Sequence, residues 1–403
     1  MGSEQSPRSL ALALAPGTLL AGVAGGIVFP IFPIVGLRVH LSLPLIGLIL
    51  AANRAVRVVV SPFVGMMVDR IGGRRTLLLG LAINICTMSL YFAGMVTGHP
   101  GPCFLIGRMI HGLGSACVFV SAQALALHAV GTGRGGSTAG VVRAAIVIGV
   151  PIGLAVGGLL ADLIGEEWTF AVAGGAVVVA LAAGTFTIPD VRAKFSARPN
   201  LMAVVREMRD RRLLAIGSLN FAIGFTVGGL VLTTLALLVN DRHIVVFGRD
   251  VQGSSGLLMG WMTILDALLT PFAGRIGDRN HSHARVGAAA MTLLVAGLLT
   301  IAFVPGTVGV VIGLALLGCG TAGLGPSLLV LLGELIPLER RGSGVGLMQL
   351  CGDAGGMLGP LIGTALFEGS TKLPYIGAAG LVACFIPVAL WLARLERRAT
   401  HPA

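Results

Sequence analysis

Apolar runs of about 20 residues or more, the length that crosses a bilayer, follow one another along almost the whole chain. Few folds tolerate that pattern. The runs are continuous rather than alternating, which excludes a β-barrel, whose strands alternate lipid-facing and lumen-facing residues. Only 11% of the 403 residues are charged and 55% are hydrophobic. A soluble domain carries roughly 25% charged residues. The expected fold is an all-α polytopic membrane protein. The first run extends from about Leu10 to Gly36, too long for the core of a cleaved signal peptide. The 61 glycines suit helices packed closely in lipid.

The spacing of the runs predicts twelve transmembrane helices, near 10–36, 43–68, 76–97, 102–130, 138–164, 168–188, 213–240, 253–276, 286–304, 307–335, 343–367 and 374–394. They fall into two sets of six. Residues 1–188 form an N-terminal six-helix bundle and 213–403 a C-terminal one. The stretch 189–212 is a basic linker, part of it suited to lie on the membrane surface.

The two sets are repeats. Ser61-Pro62-Phe63-Val64-Gly65-Met66-Met67-Val68-Asp69-Arg70 returns as Thr270-Pro271-Phe272-Ala273-Gly274-Arg275-Ile276-Gly277-Asp278-Arg279. The same offset, Asp69 to Asp278, aligns Pro151 with Pro360, Gly114 with Gly323 and Gly135 with Gly344. An even number of spans per copy makes these parallel repeats, related by an axis along the membrane normal.

Charge sets the direction. Most of the Lys and Arg residues fall on the side that holds Arg70, Arg74, Arg75, the linker, Arg279, Arg340 and Arg397, against Arg38, Arg242, Arg249 and Lys372 on the other. The positive-inside rule then puts both termini in the cytoplasm. The net charge of +11 is accounted for by topology and anionic lipid, so no nucleic-acid partner is expected. The six cysteines lie in or beside apolar runs without CxxC spacing, and neither metal nor disulfide is expected.

Several charged residues lie inside the runs, where a charge costs roughly 3 kcal/mol or more. Arg54 and Arg57 are one helical turn apart in the second span, with Asn53 beside them, and share a face. Arg108 and His111 lie in the fourth span, Arg143 in the fifth. Asn53, Arg54, Arg57, Arg108 and Arg143 are therefore the candidate substrate residues. Asp266, at the position equivalent to Arg57, and Asp353 in the eleventh span are the proton candidates, ahead of His111. Small residues every four positions, including Gly149, Gly153 and Gly157, predict close helix packing in the fifth span; Gly355, Gly359 and Gly363 do so in the eleventh. Pro151 and Pro360 mark matching bends.

Some of these residues carry a resemblance. Gly65-xxx-Asp69-Arg70-x-Gly72-x-Arg74-Arg75 resembles the loop 2–3 motif of the major facilitator superfamily, and Gly274-xxx-Asp278-Arg279 its second-half copy. Arg108-x-x-His111-Gly112-x-Gly114 resembles the fourth-helix motif, with His111 where glutamine is usual. Gly149-Val150-Pro151-Ile152-Gly153 through Gly157-Gly158 resembles the fifth-helix motif of the exporters, with Val150 inserted between glycine and proline. The resemblance implies a secondary transporter working by alternating access, with Gly65, Asp69, Arg70, Arg74, Arg75, Asp278 and Arg279 in the latch. It implies proton-coupled antiport: efflux of a small amphipathic molecule, anionic or zwitterionic given the arginines, as a monomer in a bacterial inner membrane. A proton gradient would replace any cofactor. An anion or lysolipid carrier by exchange or facilitated diffusion, and a receptor or scaffold on the same fold, remain alternatives. No catalytic residues are expected: there is no GxxxxGK[ST] phosphate loop and no catalytic triad spacing, so an enzyme is not expected.

Overall fold

The computed structural model describes residues 7–129, 135–188, 209–280, 282–336 and 341–400. Twelve helices account for nearly all of them. We number them α1 (Pro7–Arg38), α2 (Leu43–Ile71), α3 (Gly73–Val96), α4 (Pro100–Ala129), α5 (Gly135–Ile164), α6 (Glu166–Thr187), α7 (Arg211–Asp241), α8 (Val251–Arg279), α9 (His283–Phe303), α10 (Gly306–Leu335), α11 (Arg341–Gly369) and α12 (Leu373–Thr400). Eleven are long and apolar enough to cross a membrane, and α5 contributes the shorter apolar stretch Ile148–Ile164 among its described residues. Each lies where an apolar run predicted it. Large exposed side chains such as Val59, Phe63, Val179, Phe186 and Phe272 are the faces that lipid covers.

The helices cluster into two units. One contains residues 1–41 and 52–199, the other 42–51 and 200–403. The beginning of α2 thus groups with the second unit, where a methyl on Gly47 would lie 2.6 Å from the Pro360 carbonyl oxygen.

In the first unit α5 packs on α1 through its glycine stripe. A side chain on Gly149 or Gly153 would collide with the carbonyl oxygen of Leu19 or Val23, and one on Gly157 would lie 2.8 Å from Ile27 Cα. From α1, Gly26 approaches Val150 in the same way, at 2.5 Å from its carbonyl oxygen. Lipid tails are as apolar as leucine, so burial alone does not drive helices together there; dispersion at such close approach does. Near the Arg38 end of α1, four fully buried rings hold α1, α3, α4 and α6 together. Phe104 stacks on Phe32 and Tyr91 at centroid distances of 4.5 and 4.6 Å, and Phe170 meets Tyr91 and Phe104 edge-on at 5.3 and 5.4 Å. The opposite turn, between α2 and α3, depends on Gly72, whose φ of 93° belongs to glycine. This explains the glycine of the loop motif without any functional role.

In the second unit α11 closes on α7. A side chain on Gly355 would collide with the Phe221 carbonyl, and one on Gly359 with that of Phe225. Here α7 departs from α-helical geometry: Gly224–Val231 is a π-helical segment. Gly229 of that segment faces Pro360, with only 2.8 Å between its Cβ position and Pro360 Cδ. The wide turn admits the proline-bearing partner, a feature no apolar periodicity reveals. Asn220 Nδ2 donates to the Met348 carbonyl at 2.7 Å, and Tyr375 of α12 lies 3.1 Å from the Thr234 hydroxyl, fixing α7 on both sides.

Candidate functional site

Two helices of the first unit cross where α4 has a glycine. A methyl on Gly112 would lie 2.6 Å from the Asn53 carbonyl oxygen and 2.8 Å from Val56 Cβ, so α2 and α4 touch there along their backbones. The contact brings two polar faces together. Asn53 and Arg57 are four residues apart on α2, Arg108 and His111 three apart on α4, so each pair lies on one side of its helix. Arg57 stands within electrostatic range of both Arg108 and His111. Burial is deep for three of the four: Arg108 is 2% exposed, His111 5% and Asn53 6%. Arg57 is half-buried.

Aromatic rings solvate the two cations. Arg108 lies over Phe29 of α1 with its Cζ 5.2 Å from the ring centroid, within electrostatic range of the Tyr91 hydroxyl. Arg57 lies over Phe119 at 5.5 Å. Cation–π contacts return about 2 kcal/mol when desolvated, less than the roughly 3 kcal/mol or more that a mid-membrane charge costs. On α1, Gly25 leaves room for the imidazole, His111 Nε2 lying 3.3 Å from where a side chain would begin. Neither His111 Nδ1 nor Asn53 Nδ2 has a hydrogen-bond partner. Arg54 is half-buried on α2, and the Arg143 side chain lies outside the described residues.

In the second unit α8 and α10 touch at Gly318, whose Cβ position is 2.5 Å from the Met262 carbonyl oxygen. One turn along, the half-buried Asp266 carboxyl meets the hydroxyls of Thr321 and Thr270. Thr321 Oγ1 is also 3.1 Å from the Leu317 carbonyl and 3.0 Å from that of Gly318; Thr270 Oγ1 is 2.8 Å from the Asp266 main-chain carbonyl. Each hydroxyl has one proton to give. That proton goes either to a main-chain carbonyl or to the carboxyl, so each threonine can stand as acceptor or donor towards Asp266. Asp353 is buried in α11 between Gly352 and Gly355, both of which close on α7.

The motif ends have partners of their own. Arg74 at the start of α3 donates from Nη2 to the Thr185 carbonyl in the last turn of α6. Arg70 and Arg75 are exposed, Gly65 is half-buried, and the Asp69 side chain lies outside the described residues. In the second copy Asp278 Oδ1 pairs with His283 Nε2 at 3.1 Å, while Arg279 is exposed. A buried acid that sequence reasoning missed stands beside them: Glu396 of α12, 2% exposed, accepts from Ser282 Oγ at 2.8 Å, His283 N at 2.6 Å and Ala284 N at 3.2 Å. It caps α9 from another helix. Its only sequence signal was an acid in a last helical turn, where the helix's own dipole disfavours it. Among the described residues no group of three His, Cys, Asp or Glu side chains is placed to hold a metal.

Two helical units with a repeated sequence and buried charges in their membrane-spanning helices point to a polytopic membrane transporter. Comparison with known proteins gives the family. A family model of the Major Facilitator Superfamily matches residues 14–259 and 244–403, and the chain belongs to that superfamily; it is a transporter, not an enzyme. It is similar to the multi-drug resistance efflux pump PmrA homolog of Lactococcus lactis, 25% identical over 76% of this chain and 74% of that one. It is also similar to the multidrug resistance protein MdtG of Serratia proteamaculans, 26% identical over 96% of this chain and 93% of that one. Among solved structures, the nucleoside transporter NupG shares the fold with a TM-score of 0.72 at 14% identity, covering 98% of this chain and all of that one. The human organic anion transporter MFSD10 does so with a TM-score of 0.70 at 18% identity, over 96% of this chain and all of that one.

Proposed function

We propose that the chain is a proton-driven exporter of small amphipathic molecules, a monomer that works by alternating access in a bacterial cell membrane. Similarity to PmrA and MdtG, both named for drug efflux, supports the direction. The observation that carries the coupling is Asp266, a carboxyl in the middle of an apolar helix, met by two threonine hydroxyls and partly open to its surroundings. A protonated Asp266 donates to a threonine oxygen while that threonine keeps its main-chain bond. An ionised Asp266 draws the hydroxyl proton away from the main chain. The site therefore has a hydrogen-bonding arrangement for each protonation state, as a group that takes up and releases a proton in every cycle requires. Asp353, buried in the middle of α11, is the second proton candidate of this unit. No cofactor is needed, since the gradient supplies the energy.

The test is reconstitution into liposomes with an imposed pH gradient and a panel of amphipathic dyes. Substrate flux should rise with the gradient, and Asp266→Asn should keep gradient-independent exchange while losing the gradient-driven part. Equal flux with and without the gradient in the unmodified protein would replace this reading with exchange or facilitated diffusion. Gradient-driven flux surviving in Asp266→Asn would remove Asp266 from the coupling.

A further inference from the structure

We propose that the Asp266 carboxyl and the hydroxyls of Thr270 and Thr321 form a binding site for a small monovalent cation, sodium, which takes the place of the proton. The inference rests on the reading of Asp266 as the coupling acid and deepens it by naming a further ion that the same site accepts.

The oxygens come from two helices that touch. Gly318 brings α10 against α8 at Met262, and one turn along Asp266 and Thr270 of α8 meet Thr321 of α10. Every group in the set is a hard oxygen donor, the kind that hard cations take as ligands. The hydroxyls are already placed to serve. Thr321 Oγ1 has the Leu317 carbonyl at 3.1 Å and that of Gly318 at 3.0 Å to receive its proton, and Thr270 Oγ1 has the Asp266 main-chain carbonyl at 2.8 Å. With both protons turned to the main chain, two hydroxyl oxygens and a carboxylate face one another with lone pairs only. A proton on the carboxyl makes one hydrogen bond and so answers one hydroxyl. An ion among the oxygens answers both. The charge of the site fixes the valence. One carboxylate balances one positive charge, and among the described residues no Lys or Arg forms an ion pair with Asp266. A divalent ion would leave a charge uncompensated within the membrane. The half-buried position of Asp266 lets water complete the shell. The set belongs to the second unit alone: the repeat puts Arg57, Ser61 and Gly112 where Asp266, Thr270 and Thr321 stand. Where the first unit carries a cation fixed to its chain, the second carries the oxygens to hold a mobile one, in the part of the span where transporters place their coupling ions.

The test uses the purified full chain in lipid nanodiscs, in mildly alkaline buffer, and isothermal titration of sodium chloride against choline chloride at constant ionic strength. Sodium should bind and choline should not. Asp266→Asn should abolish sodium binding. Thr321→Val keeps the shape of the side chain and removes its oxygen, and should weaken sodium at least about tenfold, the worth of one contact to a charge. Thr321→Ser restores the oxygen and should bind sodium close to the unmodified protein, which a packing role for the threonine methyl would not give. If Thr321→Val does not purify as a single species, Thr270→Val carries that arm. The proposal is overturned if sodium gives no more heat than choline in the unmodified protein, or if Asp266→Asn keeps full sodium affinity. Liposome flux separates the two readings. Flux driven by a pH gradient in a protein that binds no sodium would overturn the site and leave proton-driven export standing. Sodium binding, with flux that follows a sodium gradient and ignores a pH gradient, would leave the site standing and overturn proton-driven export.

Discussion

Replacing Glu396 with alanine should be among the most damaging single changes on the charged face of the second unit. The carboxylate is 2% exposed and accepts three hydrogen bonds, from Ser282 Oγ, His283 N and Ala284 N. Two of the donors are first-turn amides of α9, which lack intrahelical acceptors, and Ser282 makes no side-chain cap of its own. Bonds to a charged acceptor are worth about 1.5–3 kcal/mol each. The favourable meeting of a carboxylate with a helix N-terminus adds up to about 2 kcal/mol in a partly buried setting. These terms overlap, and water enters part of the gap, so the expected loss for Glu396→Ala is about 3–5 kcal/mol. Glu396→Gln keeps one oxygen acceptor but not the charge, and should lose about half as much. Unfolding by sodium dodecyl sulfate in mixed micelles, followed by helical circular dichroism, measures both. Arg394, exposed on the same helix, provides the control, and Arg394→Gln should unfold with the unmodified protein. A Glu396→Ala protein within about 0.5 kcal/mol of the unmodified one would refute the capping argument, because so small a change is that of an ordinary surface position.

Gly153→Leu should abolish the folded first unit, since any side chain there meets the Val23 backbone, which cannot move aside as a rotamer would; the loss of a monodisperse peak in size-exclusion chromatography reads it. Glu166→Gln removes the 2.9 Å ion pair with Arg38, whose side chain is 60% exposed, and should shift stability by less than about 1 kcal/mol in the same detergent titration. Asp69→Asn should lower transport in proteoliposomes without lowering the amount of inserted protein; transport at the unmodified rate would leave that aspartate with a role in topology alone.

Every helix was legible in the sequence because the bilayer imposes one rule, about twenty apolar residues per crossing, and the runs here obey it. The small-residue stripe of α5 was legible for a similar reason, although its partner was not: four-residue spacing says that a backbone approaches, and only the fold shows that it is α1. The π-helical segment of α7 was hidden, since Gly224–Val231 is as apolar and helix-compatible as its neighbours and is shaped by the α11 glycines and proline opposite. For the candidate site, sequence named Arg54 and Arg57 with Asn53 beside them on the second span, and Arg108 and His111 on the fourth, from the cost of charge inside the membrane. It did not pair α2 with α4, since that depends on Gly112 lying over Asn53. Nor did it name Phe29, Phe119 or Tyr91, because an aromatic residue in an apolar helix looks the same whether it faces lipid or a guanidinium. Thr321 was missed in the same way: one hydroxyl in a span signals nothing until a carboxyl is found beside it.

The repeat shows how the two units came to differ. Position 57 is an arginine and its equivalent, 266, an aspartate, and each is solvated by its own surroundings: Arg57 by the Phe119 ring, Asp266 by threonine hydroxyls. The divergence reaches the helix ends as well. In the first unit a side chain at the start of α3 reaches the end of α6, where the Arg74 guanidinium meets a carbonyl that closes a helix. In the second unit the end of α12 reaches the start of α9, where the Glu396 carboxylate meets amides that open one. Both satisfy the same rule, cation at a C-terminus and anion at an N-terminus, from opposite partners. Equivalent helix pairs have thus kept the tie and exchanged its sign. Holding the ends together requires only that some charge meet some dipole, so selection leaves the donor free to change sides. In the middle of the spans the two copies differ in kind, a cation at position 57 and a carboxyl at position 266. The ends of the repeat thus differ only in which partner supplies the charge, whereas positions 57 and 266 differ in the sign of the charge placed within the membrane.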